Sequence, residues 1–156
     1  MKPASLPEIR KELKSRDPEE VIQICLRLGR FKKDNKELLT YLLFDAQDEQ
    51  AYIEAVKYEI DDMMDEINHN HIYYAKKSLR KIQRNLNKYI RYSGNKQTEV
   101  EVLLHFGMAI KDSKVAIHRS NVLSNMYDRI IARIEKALGT LHEDIQADYR
   151  HEIEQL

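Results

Sequence analysis

The sequence has one cysteine, four glycines, three prolines, no net charge and no long apolar run. Each shortage excludes something. A lone Cys25 can form no intrachain disulfide, and residues 1–14 are too charged to supply the apolar core of a secretory leader, so a reducing, cytoplasmic setting is expected. Apolar runs of only a few residues leave nothing to span a bilayer. With Lys plus Arg equal to Asp plus Glu at 26 each, the overall field attracts neither nucleic acid nor any other polyanion. Few glycines and prolines, two of the prolines within the first seven residues, leave little to punctuate strands or loops. What is present is one-third charged sequence with apolar residues at helical spacing, the composition of helices with solvated faces. A chain of 156 residues buries roughly 70% of its unfolded surface and fits one domain without a disulfide or metal staple.

Capping signals divide the chain. Ser5 and Glu8 form a capping-box pattern with Pro7 in the first turn, opening a short helix to about Ser15. Asp17, Pro18 and Glu20 open a second, to about Lys33, with Val21, Ile24, Cys25 and Leu28 inward. Asp34 and Glu37 start a third, with Leu38, Leu39, Leu42 and Leu43 inward. Asp48 starts a fourth with the seam Ile53, Val56, Ile60, Met63 and Ile67. A long fifth helix after Asn68 to Asn70 has the seam Ala75, Leu79, Ile82, Leu86 and Tyr89 and stops at Ser93-Gly94-Asn95. A sixth begins near Thr98 and carries Leu103, Phe106 and Ile110. A seventh runs from about Lys114 to Leu138, with Val122, Met126, Ile130 and Ile134 inside and Gly139 after its end. The last carries Leu141, Ile145, Tyr149 and Ile153.

Shifting the chain by 78 residues overlays 21–36 on 99–114, with Leu26 on Leu104, Gly29 on Gly107 and Lys33-Asp34 on Lys111-Asp112. Apolar positions match as well, Leu28 with Phe106 for one. The shift is twice ~39 residues, close to one HEAT-type helix pair. In that architecture the chain resembles a short HEAT-like α-solenoid, one all-helical domain over 1–156. An irregular antiparallel bundle is the alternative.

Charge is segregated. Residues 45–66 hold nine acids and one base, Lys57, whereas 67–98 hold eight bases and no acid. Lys77, Lys81, Arg84, Lys88 and Arg91 recur every three or four residues, opposite the apolar seam, forming a stripe ~20 Å long. Lys76 and Arg80 widen it, and Tyr73 and Tyr92 lie near its ends. The pattern predicts a basic rail for an acidic protein partner or, alternatively, for nucleic acid; a plain solvated face is the bland reading of the same residues. Several tyrosines in the middle third, Tyr41, Tyr52, Tyr58, Tyr73 and Tyr74, also suit an interface.

Catalytic and metal signatures are sparse. Glu66 and His69 have the Glu-x-x-His spacing of di-iron bundles, and Glu59 and Asp62 share a stripe with Glu66. The second such motif a di-iron site needs has only Asp148 and His151 as candidates. His105, His118 and His142 stand apart on different helices, and Cys25 aligns with the apolar Leu103, as a small core residue would. No nucleophile elbow, phosphate-cradling Gly-rich loop or zinc-spaced Cys/His cluster is present. The expected function is therefore a non-catalytic helical scaffold or adaptor, without cofactor, free to form a homo-oligomer and working through Tyr73, Lys77, Lys81, Arg84, Lys88, Arg91 and Tyr92. A metal-binding helical protein using Glu59, Asp62, Glu66 and His69 is the remaining alternative.

Overall fold

A computed structural model describes residues 2–156. Among them the regular structure is helical throughout, and no helix is long and apolar enough to cross a membrane. The chain divides into two compact units, Met1–Leu43 and Phe44–Leu156.

The first unit holds α1 (Leu6–Lys14), α2 (Pro18–Phe31) and α3 (Lys33–Thr40). The starts of α1 and α2 follow the sequence signals, whereas α3 begins at Lys33, ahead of the expected Asp34, and has no side-chain cap. The Glu8 carboxylate accepts from the backbone N–H and the hydroxyl of Ser5, both at 2.7 Å, and Asp17 accepts from the Glu19 N–H at 2.9 Å. Asn35 Nδ2 donates to the Leu28 carbonyl at 2.9 Å, satisfying an orphan acceptor at the end of α2. α2 packs against α3, where a Cβ at Gly29 would lie 3.1 Å from Leu39 Cδ1. The expected inward residues are not enclosed: Val21, Cys25, Leu38 and Leu39 are half-buried, while Ile24, Leu28, Leu42 and Leu43 are exposed. No residue of α1, α2 or α3 is buried. A π-helical turn, Tyr41–Asp45, follows.

The second unit holds α4 (Glu49–Asp65), α5 (Ile72–Ser93), α6 (Lys96–Asp112), a 3₁₀ turn (Ile117–Arg119), α7 (Asn121–Leu138) and α8 (Glu143–Ile153). α6 is the centre. Thr98, Val100, Val102, Leu103, Phe106 and Ile110 are buried on it, spread around its circumference, and it packs against α4, α5 and α7. A helix apolar all round is one enclosed on several sides. α4 and α5 contribute the seams read from the sequence, with two shifts. Met64 is buried and Met63 half-buried; Ile90 is buried, leaving the ring of Tyr89 at the edge of the core with its hydroxyl donating to Glu59 Oε1 at 2.6 Å. Over five turns the true 3.6 period overtakes a strict three-and-four alternation.

Two glycines matter to this packing. Gly94 takes φ 67°, which ends α5 and lets its N–H donate to the Ile90 carbonyl at 2.9 Å. A Cβ at Gly107 would sit 2.9 Å from Leu156 Cδ2 and 3.9 Å from Ile130 Cγ2, so the bare backbone makes a notch that the Leu156 side chain fills. Gly139 follows α7 without leaving the right-handed region. α7 itself begins at Asn121 rather than near Lys114, because the 3₁₀ turn intervenes and Ser120 takes the capping position. Its inward residue there is Leu123, with Val122 49% exposed.

Candidate docking surface

α5 forms because five apolar residues at helical spacing, Ala75, Leu79, Ile82, Leu86 and Ile90, are all buried, and because Gly94 stops it. Its N-terminus has little support, since the first turn contains no acid and the capping residue His71 makes no side-chain cap bond. The burial of one stripe turns the bases outward. Lys77, Arg80, Lys81, Arg84 and Arg91 are exposed, and Lys88 is half-buried. Among the described residues, Lys77, Arg80, Lys81, Arg84 and Arg91 pair with no carboxylate. Like charges three or four residues apart on a helix repel by ~0.2–0.5 kcal/mol per pair, and among the described residues no carboxylate pairs with these five to offset it.

Glu54 pairs with Lys57 at 2.9 Å, Asp61 with His105 of α6 at 2.7 Å, and Glu49 accepts from the hydroxyls of Ser93 and Thr98.

Two open depressions lie along the rail and meet at Arg84. One, about 710 Å³, is lined by Arg84, Asn85, Asn87, Lys88, Arg91 and Arg133. The other, about 430 Å³, is lined by Tyr73, Lys76, Lys77, Arg80, Gln83 and Arg84. Neither lining contains an acid. Tyr73 is 64% exposed, its ring meets that of Tyr74 edge-on at 5.4 Å, and Lys76 Nζ lies 5.8 Å from its centroid. Tyr92 is half-buried, tilted against Tyr89 at 6.3 Å, and lines neither depression.

Arg133 is a member that the sequence did not reveal. It arrives from α7, half-buried, where its Nε donates to Glu99 Oε1 at 2.6 Å and its guanidinium donates to Asn87 Oδ1. Lys96 Nζ holds the other oxygen of Glu99 at 2.6 Å. Burial of Glu99 acts to raise its pKa, but the hydrogen bonds from Lys96 and Arg133 outweigh it and the net shift is downward. Glu99 therefore stays ionised and fixes the Arg133 side chain at the edge of the larger depression. Forty-six residues separate Arg133 from Asn87, so no local pattern could have joined them.

The metal candidates are not brought together. α4 ends at Asp65, which leaves His69 in the following loop, so Glu66 and His69 do not share a helix face. Glu59 is occupied by the Tyr89 hydroxyl, Asp62 and Glu66 are exposed, and no three His, Cys, Asp or Glu side chains among the described residues gather in metal-binding geometry.

A second polar cluster lies between α4, α6 and α8. Lys57 Nζ donates to Glu101 Oε2 at 3.1 Å, and the Tyr149 hydroxyl donates to Glu101 Oε1 at 2.7 Å. Burial first, and then the hydrogen bond to Glu101, push the Tyr149 phenol up to about 12. Burial acts to lower the Lys57 ammonium, but its bonds to Glu54 and Glu101 prevail and raise it. Both shifts have the same linkage sign. A folded pKa above the unfolded value of ~10 means stability is intact below pH ~10 and declines as pH rises toward 12. Tyr127, raised by burial, adds in the same direction. Urea midpoints measured from pH 8 to 12 should fall above pH 10, and Tyr149→Phe should make that fall shallower; an unchanged slope would remove Tyr149 from the account.

Compared with protein-family models, with curated proteins and with solved structures, the chain matches none.

Proposed function

We propose that this chain is a non-catalytic helical adaptor that docks an acidic protein surface along α5. The observation carrying this reading is the set of five cations, Lys77, Arg80, Lys81, Arg84 and Arg91, exposed on one helix and paired with no carboxylate among the described residues. Two open, acid-free depressions beside Arg84 give a partner's side chains places to seat. A spacing of three to four residues, ~5 Å along the axis, suits carboxylates carried at the same period on a partner helix. Complementary charge of this kind accelerates encounter and sets register.

A HEAT-like arrangement suits the role, since stacked helix pairs present extended faces. In its favour, α4 packs on α5, α6 packs on α7, and α4 also packs on α6, which is how two consecutive pairs would stack; the irregular bundle is the alternative. A reducing, cytoplasmic setting fits the lone Cys25.

The test is affinity capture from lysate with the wild-type chain and with a Lys77→Glu, Lys81→Glu, Arg84→Glu variant. All three side chains are exposed, so the variant should keep its helicity and melt within a few degrees of wild type. The expected result is loss of the captured acidic partners. Identical capture by both proteins would show that α5 is not the docking face.

Nucleic acid is a second reading, favoured by the exposed Tyr73 ring beside Lys76, Lys77 and Arg80, the pairing of stacking platform and cations that single strands use. Anisotropy of labelled single-stranded RNA and DNA would then show affinity falling with salt at a log–log slope of about −0.7 per phosphate neutralised. Absence of binding at low salt would eliminate it.

A further inference from the structure

We infer that the larger depression beside α5 is a binding site for a compact ligand carrying several clustered phosphate groups and no base, held by Arg84, Arg91 and Arg133. The site stands without the docking role given to α5, because it rests on α6 and α7 as much as on the rail.

The depression has two walls. Arg84, Lys88 and Arg91 follow one another at four and three residues, so they leave α5 within a narrow arc and span ~10 Å of its axis. Arg133 meets them from α7, and the hydrogen bond from its guanidinium to Asn87 Oδ1 ties the two walls together. A row of exposed bases on one helix reads equally well as a solvated face. A further cation brought against that row from another helix makes a concave site of it.

Arg133 is also held in advance. Its Nε donates to Glu99 Oε1 at 2.6 Å, and Glu99, only 7% exposed, is fixed in turn by Lys96. An arginine has five N–H donors. One goes to Glu99 and one to Asn87, and no acceptor among the described residues takes the other three. The Arg133 side chain is still 38% exposed, so a ligand can reach it. A guanidinium oriented beforehand loses little freedom on binding and offers its fork to phosphate oxygens in pairs.

The chemistry of the lining selects the ligand. Four cations and two amides, Asn85 and Asn87, line the depression, with no carboxylate, no aliphatic side chain and no aromatic ring. Lys96 offsets Glu99, so four positive charges remain to be matched. A tricarboxylate brings three negative charges, whereas each phosphate monoester brings about 1.5 to 2, so a few phosphates on one small scaffold meet the demand. With no ring in the lining, nothing stacks a base; Tyr73 lines the other depression. The 710 Å³ volume lies within the range of small-molecule sites, ~300–1,000 Å³. A single phosphate, a few water volumes of ~30 Å³ each, would fill only a fraction of it.

Isothermal titration calorimetry at ~0.15 M salt, where exposed charges more than ~8 Å apart are largely screened, tests this. The probes are myo-inositol hexakisphosphate and tripolyphosphate, with citrate for comparison. The expected result is one saturable site for each phosphate probe and binding of citrate weaker by about tenfold or more. Arg84→Gln with Arg91→Gln should weaken the phosphate probes about tenfold or more, and Arg133→Lys, which keeps a charge beside Glu99, should weaken them about tenfold through loss of the fork. Lys77→Gln with Arg80→Gln removes the same charge from the rail outside this depression and should change affinity less than about twofold. Those four rail residues are exposed, so both double variants should keep their helicity by circular dichroism. No saturable binding of either phosphate probe overturns the inference. So do equal losses from the two charge-matched double variants, which would make binding a property of the whole rail, and citrate binding as tight as the phosphates. Cosedimentation with phosphatidylcholine vesicles containing phosphatidylinositol bisphosphate separates two sources of the same chemistry: retention that inositol hexakisphosphate competes away assigns a lipid headgroup to the site, and no retention assigns a free ligand.

Discussion

Replacing Phe106 by Ala is expected to lower the free energy of unfolding by about 3–5 kcal/mol, the usual cost of deleting an enclosed aromatic ring. Phe106 heads the fully buried side chains and has no exposed surface. It lies on α6, the helix that α4, α5 and α7 all touch, so no single neighbour can move in to fill the hole. At that size the melting temperature should fall by roughly 10 °C or more. Leu28→Ala is the matched control. Leu28 is 53% exposed, and its truncation should cost under ~1 kcal/mol. Chemical unfolding of the two variants side by side would check both, and a loss below 1 kcal/mol for Phe106→Ala would contradict the central place of α6.

Arg133→Ala should have the next largest effect, about 2 kcal/mol at pH 7. Glu99 is only 7% exposed, and removing Arg133 leaves its carboxylate with Lys96 alone. A fully stranded buried ion would cost 3–5 kcal/mol or so; the remaining lysine and the partial exposure of Arg133 reduce that. The pH dependence identifies the cause. With its folded pKa lowered, Glu99 contributes stability that is present above the unfolded carboxylate value of ~4.3 and lost as pH falls through the folded value. The gap between wild type and Arg133→Ala should therefore be widest near neutrality and close toward pH 3, where a protonated Glu99 no longer needs the cation. A gap that is the same at pH 7 and pH 3 would mean that Arg133 acts through packing of its stem.

Much of the helical layout could be read from residues alone. Ser5 with Glu8, Asp17 with Pro18, and Asp48 each mark a helix start by a side chain that satisfies an orphan N–H or helps hold the first turn, and the seams of α4 and α5 are periodic enough to assign. The same periodicity placed the cations of α5 on one outward face. What it could not supply was anything set by distant partners. Arg133 reaches the rail through Glu99 and Asn87, which belong to other helices. The start of α7 was misplaced because Lys114 and its neighbours look helical locally, whereas the turn at Ile117–Arg119 delays the helix to the Ser120 cap. Ile24 and Leu28 show the same limit in another form: an apolar stripe says which face is apolar and not what lies against it.

The notch at Gly107 also sets an order of events during synthesis. Leu156, which fills it, is made forty-nine residues later, and the Tyr127 hydroxyl that donates to the Leu156 carbonyl at 2.9 Å must wait for the same residue. At 5–20 residues per second, α6 leaves the ribosome roughly 2–10 s before its last contact can form. Throughout that interval the most apolar helix of the chain has an open side. The second unit therefore first becomes able to close once Leu156 is clear of the ribosome, and the seconds before that are when a chaperone would find the most to hold.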